Sequence, residues 1–136
     1  MSRQDGSVTT EMVLLTPVLL VLLGLVVMTG RIGEVDGAVT NAAHQAARAA
    51  TLVGTASAAH TAANTTAHAN LDADGMACTT VSVAVDTSRL APGGDVTVEV
   101  ACTVALGDLA FTGLPGSRTV RSKTVEVVDT YRGASP

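Results

Sequence analysis

The segment "GSVTTEMVLLTPVLLVLLGLVVM", residues 6–28, decides how this chain is organised. The 19 residues 12–30 contain no charged side chain. As an α-helix they would measure about 28 Å, at about 1.5 Å per residue. The hydrocarbon core of a bilayer is about 30 Å thick. The sequence therefore predicts a membrane-spanning helix, assigned to residues 7–30.

A cleaved secretory signal peptide is the main alternative for an apolar segment at this position. The uncharged run is longer than the apolar core of such a peptide, and the residues that follow, "TGRIGEVDG", contain no small-residue cleavage site. The segment is therefore expected to stay in the membrane. Arg3 and Arg31 flank it on opposite sides, so the charge pattern specifies orientation weakly. We expect a cytoplasmic N-terminus and an extracytoplasmic C-terminal domain.

Glu11 lies directly before the apolar run. A carboxylate that enters a bilayer needs water or a charged partner. One interpretation is that Glu11 reaches the headgroup layer and has no further role. The other is that it is neutralised by a cation within an apolar helix bundle.

Residues 31–73 are predicted to continue as an Ala-rich helical extension, because small apolar residues recur at helical spacing. A break is expected near Gly54, followed by a second helix that Ser57 caps and that "DADG", residues 72–75, ends. The predicted buried face comprises Ile32, Val35, Val39, Ala42, Ala46, Ala49 and Val53. Bends are predicted at Gly30, Gly33 and Gly37.

Residues 74–136 change to the alternation of β-strands. Three antiparallel strands are predicted within 81–85, 96–106 and 118–132, the last as an edge strand with basic residues. Opposing the valine faces pairs Val81 with Val100. Other predicted features are a turn at 89–95 and a loop at 107–117, whose Leu109, Phe111 and Leu114 would tuck under the sheet. The predicted fold class is α+β, a long N-terminal membrane helix with a helical extension, followed by a small three-stranded antiparallel sheet.

The order of these features resembles the TadE-like pilus assembly proteins of tight-adherence (Flp-type) pili, particularly the actinobacterial type. The resemblance is carried by Gly6, Ser7 and Glu11 before the apolar helix, by "AVTNAAHQAARAA", by "PGGDVTVEVACTVAL" and by the final "VVDTYR". It implies that residues 1–6 are a leader, which a prepilin peptidase removes between Gly6 and Ser7. It also implies that Glu11 is an assembly carboxylate, paired with the new amine of Ser7 or of a neighbouring subunit.

The family resemblance implies a non-enzymatic minor pilin or pseudopilin. Its expected partners are the membrane, the prepilin peptidase, other pilin or pseudopilin subunits and the pilus assembly platform, and incorporation into the pilus is left open. The alternative is a signal-anchored cell-envelope protein with an extracytoplasmic ligand-binding domain, in which Gly6 and Glu11 are accidental. Loss of residues 1–6 from the mature chain would favour the pilin hypothesis.

Cys78 and Cys102 are the only cysteines in the sequence. The predicted topology places both outside the cytoplasm, where disulfides persist. A disulfide is therefore predicted, and two buried free thiols are the alternative. With valines 81 and 100 opposed, Cys78 would miss direct opposition to Cys102, so the bond requires that the strand begin only at about Thr80 or contain a bulge.

Other chemistry finds little support in the sequence. His44, His60 and His68 are too far apart to share one helical turn, so no metal site is predicted and no cofactor is expected. No serine lies in a nucleophile-elbow motif, and the chain is not expected to be an enzyme. The net charge is −4, with one short basic cluster at Arg118, Arg121 and Lys123, so nucleic-acid binding is not expected.

Overall fold

The computed structural model describes residues 5–107 and 115–131, with side chains from Val8 onward. Its elements are helices α1 (Asp5–Thr51) and α2 (Ala56–Ala73), then strands β1 (Thr80–Arg89), β2 (Asp95–Ala105) and β3 (Ser117–Val127). The three strands form one antiparallel sheet in the order β1-β2-β3. The predicted α+β class is confirmed. Leu109, Phe111 and Leu114, predicted to tuck under the sheet, lie outside the described residues.

The first helix, α1, is a single helix of 47 residues. The helix continues unbroken through Gly30, Gly33 and Gly37, and the bends predicted at these positions stay a prediction. A Cβ atom added at any of these glycines would have no neighbour within 4 Å. Glycine costs about 1 kcal/mol in a helix interior relative to Ala, but it does not bend a helix without a kink-forming contact. The predicted membrane segment and the first part of the extension, up to Thr51, are thus one continuous helix.

The junction between the helices lies near Gly54, as predicted, but its capping residue is Thr55 rather than Ser57. Thr55 is extended, and its hydroxyl accepts the backbone N–H of Ala58 at 3.3 Å. That bond satisfies one of the N–H groups that the first turn leaves unpaired. At the other end, Asp74 is the C-cap and Gly75 takes a positive φ of 68°. The end predicted at residues 72–75 is confirmed.

Small side chains fill the seam between α1, α2 and the sheet. The fully buried alanines of α1 are Ala42, Ala43, Ala46, Ala47 and Ala50, and those of α2 are Ala59, Ala63 and Ala67. Alanine lets helix backbones approach closely. The predicted face of α1 was too narrow and included Ala49, which is only half-buried. Because α1 packs against both α2 and strands β2 and β3, it buries two adjoining stripes.

The central strand β2 supplies the core of the sheet. Its side chains facing the helices are buried: Val96, Val98, Val100, Cys102 and Val104. Strand β3 is an edge, as predicted. The predicted register is wrong by two residues, since Val81 pairs with Cys102 and Val83 pairs with Val100. A two-residue slip keeps every side chain on its own face, so the valine pattern could not exclude it.

The β1–β2 turn fixes that register. The pairing shifts between Asp86 and Arg89, Gly93 has a φ of 79°, and a Cβ atom on Gly94 would collide with the carbonyl oxygen of Arg89. The backbone N–H of Ser88 donates to Asp86 at 2.9 Å, which lowers the pKa of Asp86 below its ordinary value of 3.8. This bond therefore stabilises the turn above that value and weakens as the pH falls through the lowered pKa.

Strand β3 runs alongside α1 in the same direction. Its first residues, Arg118 to Arg121, border a cleft together with residues 29–36 of α1. Further along both elements, His44 Nδ1 lies 3.7 Å from Glu126 Oε1. The end of the domain that carries the start of β3 therefore lies beside the apolar part of α1.

Candidate functional site

The N-terminal half of α1 is an apolar surface that the rest of the described chain leaves uncovered. Its large apolar side chains from Val8 to Val27 range in exposure from 52% at Val27 to 68% at Leu19, and Met28 is half-buried. Further along the same helix, Val35 is 4% exposed and Val39 is fully buried. Among the described residues, α1 is the one helix long and apolar enough to cross a membrane. A contiguous apolar surface of this size is typical of a site that contacts a membrane or a partner.

Polar groups within this surface are bonded internally. Pro17 lies inside α1 and lacks an N–H donor. The hydroxyl of the neighbouring Thr16 donates to the carbonyl oxygen of Met12 at 2.6 Å, and that of Thr29 donates to the carbonyl oxygen of Leu25 at 2.7 Å. Hydroxyl groups in hydrocarbon need such partners. These two threonines are therefore compatible with a lipid or helix-bundle environment.

The predicted processing residues lie at the start of the same helix. Gly6 and Ser7 are in the first turn of α1, and Glu11 follows as an exposed residue. Ser7 and Glu11 are four residues apart, which places them on one face of the helix. No ion pair involving Glu11 occurs within residues 5–107 and 115–131. Cleavage after Gly6 and an assembly role for Glu11 remain predictions.

The predicted disulfide is present and joins Cys78 to Cys102, with their Cα atoms 5.5 Å apart. Strand β1 begins at Thr80, so Cys78 precedes regular pairing, as the bond was predicted to require. It ties the segment between α2 and β1 to the central strand. Closing a loop with a sequence separation of 24 contributes about 3 kcal/mol in the loop-entropy model. This constraint helps a domain whose core consists largely of Ala and Val.

The three histidines lie on helix surfaces. His60 and His68 are exposed on α2, and His44 is exposed on α1 beside Glu126. Within the part of the chain that the structure describes, no three His, Cys, Asp or Glu side chains could hold a metal ion together.

One feature of the domain was missed by sequence reasoning. A cleft of about 560 Å³ lies between α1 and β3, and Arg118 and Arg121 line it with Asp36. The sequence showed these arginines only as part of one basic cluster. Strand β3 begins at Ser117. Because side chains alternate along a strand, Arg118 and Arg121 belong to opposite faces of the sheet.

The architecture defines a class: a protein with an exposed membrane-length helix that continues without a break into a small disulfide-bonded α+β domain. Residues 6–48 match the family model of TadE-like proteins. This match confirms, over the apolar helix and the first part of its extension up to residue 48, the resemblance that the sequence predicts. The actinobacterial subtype stays a prediction. No curated protein and no solved structure matches the chain.

Proposed function

We propose that this chain is a minor pilin or pseudopilin that acts, without enzymatic activity, in the assembly of a tight-adherence pilus. The observation that carries the proposal is the uncovered apolar half of α1, because it coincides with the TadE-like match over residues 6–48. A membrane anchor needs only apolar length. A pilin-type subunit also needs a helix that can exchange lipid contacts for contacts with other helices.

The chemistry of processing fits the first turns of α1. A prepilin peptidase that cuts after Gly6 would leave a free amine on Ser7. Glu11 lies four residues further, on the same helix face. The amine of this chain, or that of a neighbouring subunit, would neutralise the carboxylate in an apolar bundle. A buried carboxylate without such a partner would be strongly unfavourable.

The continuity of α1 suits a subunit that must move out of the bilayer. The apolar half and the half packed against α2 and the sheet belong to one helix, Asp5–Thr51. A displacement of the outer domain along the helix axis would therefore displace the apolar half as well. In this proposal the N-terminus is cytoplasmic, the sheet is extracytoplasmic, and the assembly platform and other pilin subunits are the partners.

Photo-cross-linking from the apolar surface tests this proposal. A photoreactive residue at Leu19, which is 68% exposed, should cross-link in the host membrane to a second protein with its own pilin-type leader and apolar helix. The matched control is Leu52, which is 65% exposed but lies directly after the C-terminal end of α1. It should not cross-link to such a helix. Adducts with lipid alone from Leu19 would contradict the proposal and favour a plain membrane anchor.

A further inference from the structure

The cleft between α1 and β3 lies at the height of the lipid headgroups if the apolar half of α1 spans a bilayer. It is bordered on α1 by Thr29, Gly33 and Asp36. Gly33 follows residue 30, the end of the predicted membrane-spanning segment, by three positions, or about 4.5 Å along the helix axis. The headgroup layer on each side of the hydrocarbon core is about 5–7 Å thick. The cleft therefore opens into that layer rather than into bulk water.

Arg118 is the cationic group in this cleft that lacks a described partner. It pairs with Val104 in the sheet, so its side chain belongs to the face that packs on the helices. Arg118 is nevertheless exposed, because it is the second residue of β3 and lies outside the part of the strand that the helices cover. Among the described residues, no carboxylate lies within ion-pair distance of Arg118. Arg121, in contrast, has Glu99 at 3.5 Å.

The other charged side chains near the cleft determine how the domain tilts against the membrane surface. Asp36 borders the same cleft and partly offsets the two arginines. Glu34 and Asp74 border a separate cleft, which the helical repeat places on the opposite side of α1. Glu34 is paired with Arg31 at 3.2 Å. The side carrying β3 is therefore the less acidic one, because Arg118 and Arg121 balance Asp36 and Glu99, whereas Glu34 and Asp74 outnumber Arg31 on the other side. A phosphate-rich surface would repel the β3 side less.

From this arrangement we propose that Arg118 binds a lipid phosphate at the membrane surface and holds the β3 side of the domain against the headgroups. A guanidinium group suits this role because its planar fork donates two hydrogen bonds to phosphate oxygens. Gly33 leaves room for the phosphate, since a Cβ atom there would have no neighbour within 4 Å. The proposal rests on the membrane anchor in the proposed function, but not on pilus assembly.

Solid-state NMR on the full chain tests this contact. The protein, with arginine labelled at Cζ, is reconstituted in vesicles of phosphatidylcholine and phosphatidylglycerol in phosphate-free buffer. The measured quantity is the arginine signal dephased by lipid ³¹P. We expect Arg118→Gln to remove one arginine's share of that signal, because its guanidinium group contacts phosphate. Arg118→Lys should also lose this Cζ signal, which shows that the loss belongs to the guanidinium group and not to Gln.

The matched control is Arg48→Gln, since Arg48 is exposed in the last turn of α1, twenty positions beyond Met28. It lowers the total arginine signal equally but should leave the dephased part unchanged. An unchanged dephased signal in Arg118→Gln would overturn the proposal. So would equal losses in both variants. Cross-linking from Leu19 is independent of this contact, so failure here would be distinct from failure of the pilin proposal.

Discussion

Replacement of Gly6 by Ala is expected to reduce release of the six-residue leader at least about tenfold, equivalent to about 1.4 kcal/mol in the barrier. Gly6 lies in the first turn of α1, so a peptidase must unwind that turn to reach the bond after it. Alanine also favours the helical conformation more than glycine does. Its methyl group also hinders the close backbone approach that cleavage needs. Quantitative gel analysis of precursor and product in membranes measures the effect.

Gly24→Ala is the matched control for this change. It makes the same chemical substitution in the same helix, at a position where a Cβ atom would have no neighbour within 4 Å. Processing of Gly24→Ala should equal that of the unmodified chain, and both variants should still insert, because insertion depends on the apolar run. Equal processing of Gly6→Ala and Gly24→Ala would show that Gly6 is not part of a cleavage site.

Replacement of Glu11 by Gln is expected to leave cleavage intact but to impair association with other pilin helices. The substitution keeps the size of the side chain and removes the charge that the Ser7 amine would meet. Loss of one partner from a buried ion pair costs about 3–5 kcal/mol, or about 10²- to 4 × 10³-fold in an association constant. Cross-linking yield from the Leu19 probe, together with the amount of surface pilus, measures the loss.

Glu34→Gln is the control for the Glu11 change. Glu34 is a carboxylate on the same helix beyond the apolar run, and its side chain is 61% exposed in a pair with Arg31. Exposed pairs of this kind contribute about 0–1 kcal/mol, so cross-linking should change little. If Glu11→Gln also left cross-linking and pilus output unchanged, Glu11 would simply reach the headgroups without a role in assembly.

The features that sequence predicted well are those fixed by local periodicity. The apolar run, the break near Gly54 and the alternation of β2 each need only neighbouring residues for their interpretation. The disulfide between Cys78 and Cys102 was predicted because both cysteines are expected outside the cytoplasm. The start of β1 near Thr80, which the bond was predicted to require, was correct. The strand register could not be predicted from local periodicity, because a slip of two residues leaves every side chain on the same face of the sheet. The irregular pairing between Asp86 and Arg89 decides it instead.

The errors in the helices have a common cause in tertiary contacts. Ala49 and Ala50 are chemically identical, and only the positions of α2 and the sheet make Ala50 the buried one. Likewise, Ser57 and Thr55 are both good caps, and the structure begins α2 after Thr55. The lipid-facing role proposed for Arg118 needed the sheet as well. Only strand pairing distinguishes its face from that of Arg121.

The N-terminal residue of the protein extracted from its host membrane tests the central claim most directly. Intact mass and N-terminal sequencing should both identify Ser7 as the first residue, with residues 1–6 absent and the apolar helix retained. That result would agree with a subunit processed as a pilin, whose new amine can pair with Glu11. A membrane-extracted chain that retains residues 1–6 throughout would contradict it and would leave α1 as an unprocessed anchor.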